Sequence, residues 1–232
     1  MKDIFLVDAD DTILDFHGAS ALAIRSAFES SGIAWKDRFS SVFKTLNDGL
    51  WEALERKEIT RKELIAKRFP LYLETLGITS VQGDAFNRMY LQYLATHPIY
   101  VDGAENFLTE LNKLGRVFIV TNGTEFIQRS RFDIAKLWGY AEDVFISDTI
   151  GFDKPAKGYT EYVVSHIPDF QIERAVWIGD SLSADISAAN AAGITSIWFN
   201  PKRKPLTNSA KPDYNFENFE EILQILQKIN GK

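Results

Sequence analysis

Ile4-Phe5-Leu6-Val7-Asp8-Ala9-Asp10-Asp11-Thr12 runs from four consecutive apolar residues straight into acids. An unbroken apolar run has no water-facing side, so it suits a strand covered on both faces, as in parallel sheets. The pattern returns at Val117 to Val120, Val144 to Ile146, Ala175 to Ile178 and Ile194 to Phe199. Helix-length segments lie between. Phe107, Leu108, Leu111 and Leu114 keep helical spacing up to Gly115, and Ala184, Ile186, Ala188, Ala189, Ala191 and Ala192 form a small-residue helix stopped by Gly193. Strand–helix alternation of this kind predicts an α/β fold with a parallel sheet and helices on both faces.

Residues 16–97 break the alternation. Phe39, Val42, Phe43, Leu46, Leu50, Trp51 and Leu54 recur at spacings of three and four. Thr60 with Glu63 reads as a capping box, and Phe86, Met89, Tyr90, Tyr93 and Leu94 make a further apolar stripe. The first strand must still pair with later ones, so this all-helical block is an insertion. The expected division is a core of residues 1–15 and 98–232 with an inserted helical domain at 16–97. Asn200 to Asp213 reads as an exposed loop before a last helix.

The chain has 26 basic and 32 acidic residues, a net charge of −6, which argues against a nucleic-acid backbone or an anionic membrane as main partner. With no cysteine, thiolate catalysis, disulfides and cysteine-based zinc sites are excluded. The initial apolar run is too short for a signal-peptide core, and no stretch approaches the about 20 apolar residues of a membrane span. The expectation is a soluble cytoplasmic protein, a monomer or homodimer.

Open α/β sheets bind ligands at the carboxyl ends of their strands. Asp8 and Asp10 follow the first strand; Thr121, Asn122 and Gly123 follow the second. Lys154-Pro155 lies in a loop after the third, and Gly179-Asp180, then Asp185, follow the fourth. Each segment alone also has a plain structural reading as a turn cap, a strand-end hydroxyl or a solvated lysine. Together, in this order, they suit phosphoryl transfer. Mg²⁺ prefers hard oxygen ligands, which Asp8, Asp180 and the Asp10 backbone carbonyl can supply. Asp8 can attack phosphorus, and Asp10 can protonate the leaving oxygen and later activate water. Lys154 and the Thr121 hydroxyl can stabilise charge on the phosphoryl oxygens. Asp185 reads equally as a hydrogen-bond partner behind the ligands or as a ligand itself.

Asp8-Ala9-Asp10-Asp11-Thr12, Thr121-Asn122-Gly123, Lys154-Pro155 and Gly179-Asp180-x-x-x-x-Asp185 resemble the four motifs of the haloacid dehalogenase superfamily, across essentially the whole chain. The resemblance implies a Rossmann-like core with a helical cap inserted after the first motif. It implies Asp8 as nucleophile, Asp10 as acid–base, Thr121 and Lys154 as phosphate contacts and Asp180 as a metal ligand. Asn122 and Gly123 are expected at the substrate. Two departures stand out: Asp11, where many family phosphatases carry Gly, and Asp153, an extra acid beside the motif lysine.

The superfamily's true dehalogenases lack the second acid of the first motif, so Asp10 favours phosphoryl chemistry over 2-haloacid dehalogenation. A phosphatase or mutase for small sugar phosphates stays open, since it uses the same core residues. Leu46-Asn47-Asp48-Gly49-Leu50-Trp51, Ile59-Thr60, Glu63-Leu64 and Arg68-Phe69 are similar to the cap of bacterial pyrimidine 5′-nucleotidases of this superfamily. That implies nucleoside 5′-monophosphates as substrates. Asn47 could read a base edge. Trp51 and Phe43 either stack on a base or fill the helical core. His17 reads as linker before substrate contact, and Lys202-Arg203-Lys204 as a solvated loop before a phosphate-facing one.

Overall fold

The computed structural model describes residues 1–207 and 210–231. Six strands, β1 (Ile4–Asp8), β2 (Arg116–Thr121), β3 (Asp143–Ile146), β4 (Ala175–Gly179), β5 (Thr195–Phe199) and β6 (Tyr214–Phe216), form one parallel sheet in the order β3-β2-β1-β4-β5-β6. β1 is central, with Ile4 opposite Arg116 of β2 and Ala175 of β4. Connections move outward from β1 through β2 to β3, then jump to β4 on its other side. This reversal opens a crevice at the carboxyl end of β1.

The apolar runs are explained by two cores. Phe5 and Val7 face α5 (Ala104–Leu114), α6 (Glu125–Ile134) and α10 (Phe219–Ile229) through Phe107, Leu111, Phe132 and Leu226. Ile4 and Leu6 face α8 (Lys157–His166) and α9 (Ser187–Ala192) through Tyr159, Val163, Ala188 and Ala189. All four apolar side chains of β1 are fully buried; each such burial contributes about 1.5–3 kcal/mol. A single turn, α7 (Ser147–Ile150), follows β3. The small-residue helix begins as a π turn at Leu182–Ile186, carrying Asp185, before α9.

Two findings concern the end of the chain. The described residues of the segment expected as a loop, Asn200 to Asp213, hold neither helix nor strand, and an unexpected three-residue edge strand, β6, follows them before the last helix. Lys202-Arg203-Lys204 is exposed but not merely solvated: Arg203 pairs with Glu217 at 2.8 Å and Lys204 with Asp180 at 3.2 Å.

The chain divides into Met1–Asp15 with Tyr100–Lys232, and Phe16–Ile99. The return to the sheet thus falls two residues later than the sequence suggests. The second unit holds α1 (Phe16–Ser30), α2 (Arg38–Glu55), α3 (Arg61–Leu76) and α4 (Gly83–Thr96). Phe28, Phe39, Phe43, Phe69, Tyr72, Phe86 and Tyr90 form its aromatic core, with Phe43 stacked on Phe69 at 5.5 Å. Phe43 is therefore core. Trp51 is half-buried beneath the Arg61 guanidinium. Tyr93 leaves the expected stripe: it is exposed and stacks on His97. His17 is no linker but the second residue of α1, 3.6 Å from Asp48.

Candidate active site

Asp8 ends β1, where the sheet's hydrogen bonding stops and the next side chains turn toward the crevice. The residue is 5% exposed. Oδ1 accepts from Lys154 Nζ at 2.6 Å and Oδ2 from the Thr12 hydroxyl at 3.0 Å. The chain doubles back at once: Ile13 and Leu14 N–H both donate to the Ala9 carbonyl, and Asp11 N–H to that of Leu14. This loop puts Asp11 at φ +60°, a conformation glycine takes freely and aspartate tolerates. Asp11 thus takes the left-handed backbone conformation that a glycine at this point of the motif would adopt.

Lys154 is 2% exposed and its three ammonium protons are all engaged, by Asp8 Oδ1, by Asp185 Oδ1 at 2.7 Å and by the Val120 carbonyl at 2.9 Å. A direct contact with phosphate requires it to give one up. Burial opposes its charge, but Asp185 and Asp8 outweigh that and hold its pKa above the ordinary lysine value. Asp8 is pushed well above the usual carboxylate range, by burial first and by Asp185 and Asp180; Lys154 pulls the other way. Asp180 is pushed up to about 7 by burial and by Asp11 and Asp185, against the pull of Lys204.

Asp8, Asp180 and Asp185 each bring an oxygen within 4.8 Å of the other two. One buried ammonium faces this set of acids, leaving an excess of negative charge that a divalent cation would offset. Three hard carboxylate oxygens fit Mg²⁺. Asp8 and Asp180 suit the direct ligand role. Asp185, 1% exposed, is already committed: Lys154 and the Trp177 indole donate to its Oδ1, and the Ser181 N–H donates to its Oδ2. It anchors Lys154. Gly179 makes room for it, since a Cβ there would lie 2.3 Å from the Asp185 carboxyl carbon. Lys204 and Asp180 line a cleft of about 450 Å³ with Asp11, Asp15 and Lys202.

Thr121 ends β2 and is 1% exposed. Its Oγ1 accepts from Gln128 Nε2 at 2.8 Å and from the Gly123 N–H at 3.2 Å, which leaves its own proton free to donate. Asn122 was expected at the substrate, but its side chain is spent elsewhere. Nδ2 donates to the Lys154 carbonyl at 2.9 Å and Oδ1 accepts the Lys154 N–H at 2.7 Å. It ties the second and third motifs together. Asp10 turns its carboxylate toward α6, where Arg131 Nη1 donates to Oδ1 at 2.5 Å and Gln128 Nε2 to Oδ2 at 2.8 Å. Neither α6 residue was singled out from sequence; the only signal was their spacing of three on the helix after the second motif. Asn47 lies within the helical unit, 3% exposed, on the wall of a cavity of about 280 Å³. Its Oδ1 accepts from buried Arg68 at 3.3 Å.

Residues 2–193 match the family model of the haloacid dehalogenase-like hydrolases. The HAD-hydrolase YfnB of Bacillus subtilis is 38% identical over 97% of this chain and 95% of its own length. Its magnesium-bound crystal structure, described as revealing interdomain movement, superposes with a TM-score of 0.92 over 97% of this chain and 98% of that one. The pyrimidine 5′-nucleotidases PynA of Streptococcus pneumoniae and YjjG of Escherichia coli are 32% and 24% identical, covering 96% and 97% of this chain and 94% and 98% of their own. No described helix is long and apolar enough to cross a membrane. With its sheet order, its buried acids and these likenesses agreeing, the chain belongs to the haloacid dehalogenase-like hydrolase family.

Proposed function

We propose that this chain is a phosphoric monoester hydrolase that works through an aspartyl-phosphate on Asp8 with Mg²⁺, and that its substrates are pyrimidine nucleoside 5′-monophosphates. The observation that carries the chemistry is the Asp8 carboxylate itself. It is buried at a strand end and held in one orientation through both oxygens, by Lys154 and Thr12. A fixed, desolvated carboxylate is a pre-oriented nucleophile.

An Asp8 oxygen attacks phosphorus, the ester P–O bond breaks, and its electron pair stays on the leaving oxygen. Asp10 supplies the proton that oxygen needs. The Thr121 hydroxyl donates to a phosphoryl oxygen, and the Lys154 charge balances the negative charge around Asp8. Water then attacks the same phosphorus and gives a proton to Asp10. The bond to Asp8 breaks with its electron pair, restoring the carboxylate. Mg²⁺, bound through Asp8 and Asp180, would add positive charge where the phosphoryl oxygens gather. The nucleotide assignment rests on the likeness to PynA and YjjG over almost the whole chain.

Phosphate release across nucleoside 5′-monophosphates and sugar phosphates, with Mg²⁺, tests both parts. Asp8→Asn should abolish turnover; retained turnover sinks the mechanism. Equal kcat/KM on sugar phosphates and nucleotides would leave the chemistry standing and overturn the substrate class.

A further inference from the structure

Gln128 and Arg131 stand one turn apart on α6, and each is 1% exposed. Polar side chains so deeply buried need a reason. Theirs is a set of contacts centred on Asp10. Arg131 Nη1 donates to Asp10 Oδ1 at 2.5 Å and to Gln128 Oε1 at 2.9 Å. Gln128 Nε2 donates to Asp10 Oδ2 and to Thr121 Oγ1, both at 2.8 Å. Asp10 is the only carboxylate paired with Arg131 among the described residues, and Arg131 Nε and Nη2 have no hydrogen-bond partner there. A buried guanidinium with idle donors is a poor device for stability alone. The backbone is fitted to this set too: a Cβ on Gly123 would lie 2.3–2.6 Å from the Gln128 side chain.

We infer that Gln128 and Arg131 are positioning residues for proton transfer by Asp10, and that Gly123 is glycine to leave room for the Gln128 bridge. This rests on the reading of Asp10 as the acid–base group. Asp10 must give its proton to the leaving oxygen and later take one from water, and both oxygens occupy nearly one place on opposite sides of the two half-reactions. A carboxylate free to rotate would miss that place most of the time. Here each Asp10 oxygen accepts one bond from α6 and keeps a second lone pair for the travelling proton. Gln128 also couples the Asp10 carboxylate to the Thr121 hydroxyl, so the proton donor and the phosphoryl contact are set in one frame.

The test uses the full chain with Mg²⁺ and two aryl esters, so it does not depend on the natural substrate. p-Nitrophenyl phosphate has a leaving group that hardly needs protonation; phenyl phosphate has one that does. The readout is kcat/KM, which covers steps through the first irreversible one and so excludes the later water attack. Gln128→Met and Arg131→Met should lower kcat/KM for phenyl phosphate by about tenfold or more, a part of the ~10²–10⁴ that general acid catalysis supplies. p-Nitrophenyl phosphate should lose at least about threefold less than phenyl phosphate with each variant, any loss common to both esters in Gln128→Met being the part passed on through Thr121. Arg131→Lys should recover part of the loss. Asp10→Asn sets the reference. If it shows no leaving-group dependence, the acid–base reading of Asp10 fails. If Asp10→Asn discriminates between the esters but the α6 variants lower both equally, or neither, the positioning role is overturned. Should Arg131→Met not fold, the near-isosteric Gln128→Met and the bridge-displacing Gly123→Ala decide by the same ratio.

Discussion

Lys154→Met removes one positive charge from the most crowded electrostatic point in the molecule while keeping the side chain's length. It leaves Asp8 and Asp185 buried together, at 5% and 1% exposure, and strips the Val120 carbonyl of its donor. Removing one partner of a buried ion pair costs about 3–5 kcal/mol, because the other charge stays behind uncompensated. The carboxylates have an escape: either can take up a proton. That limits the cost to about 1.4 kcal/mol per pH unit above the ordinary carboxylate value, near 4, so about 5 kcal/mol at pH 8 and about 1–2 at pH 5. In the variant the folded state holds protons the unfolded chain has released, so stability falls as pH rises above about 4. At about 2–4 °C per kcal/mol for a chain of this size, the melting temperature should drop by about 10 °C at pH 8 and only a few degrees at pH 5. Thermal unfolding followed by circular dichroism, with a chelator present and wild type in parallel, measures both. A drop under about 3 °C at pH 8, or equal drops at the two pH values, would refute the view that Lys154 is the buried countercharge for both acids.

Asp180, pushed up to about 7, carries a proton in the metal-free protein below that pH. Mg²⁺ must expel it, so affinity should rise from pH 6 to pH 8 with proton release at the lower value; calorimetry in two buffers of different ionisation heat reads this, and no proton release at pH 6 would contradict it. Without metal, the same raised value makes folding stability fall as pH climbs from about 4 to about 7, by at most about 4 kcal/mol at about 1.4 per unit. Added Mg²⁺ should flatten that slope in thermal melts. Gly179→Ala drives a methyl into the Asp185 carboxylate. It should cost about 1–3 kcal/mol and weaken activity through Lys154; a variant as stable and active as wild type would show that Asp185 moves freely.

The sheet was legible because a strand covered on both faces leaves no position for a polar residue. Ile4 to Val7 and Ala175 to Ile178 carry that constraint in plain view, and the acids after them mark where the covering ends. β6 was not legible: Tyr214-Asn215-Phe216 is three residues on a sheet edge, with no run to read. Tyr93 fits the helical period of its stripe and is exposed all the same, since the period says which residues share a face but not how far the neighbouring helix reaches.

The site divides in the same way. Asp8, Asp10, Thr121 and Asp180 announce themselves by standing at or just past strand ends, and Lys154 by its place in the loop that follows the third strand, positions defined along the chain. Gln128 and Arg131 do not, because a glutamine and an arginine on an amphipathic helix read as its wet face. Only the packing of α6 against the sheet turns that face inward onto Asp10. Asn122 likewise looks like a substrate contact until the fold brings the Lys154 backbone, 32 residues away, onto both ends of its amide. Lys204 sits in a charged loop and reaches Asp180 across 24 residues. Sequence alone marked the first five strands, the inserted helical segment and the residue types of the chemistry, because burial and strand ends leave local marks. Which side chain holds which was decided by tertiary structure alone, because hydrogen bonds between distant segments depend on distance in space and leave no period in the chain.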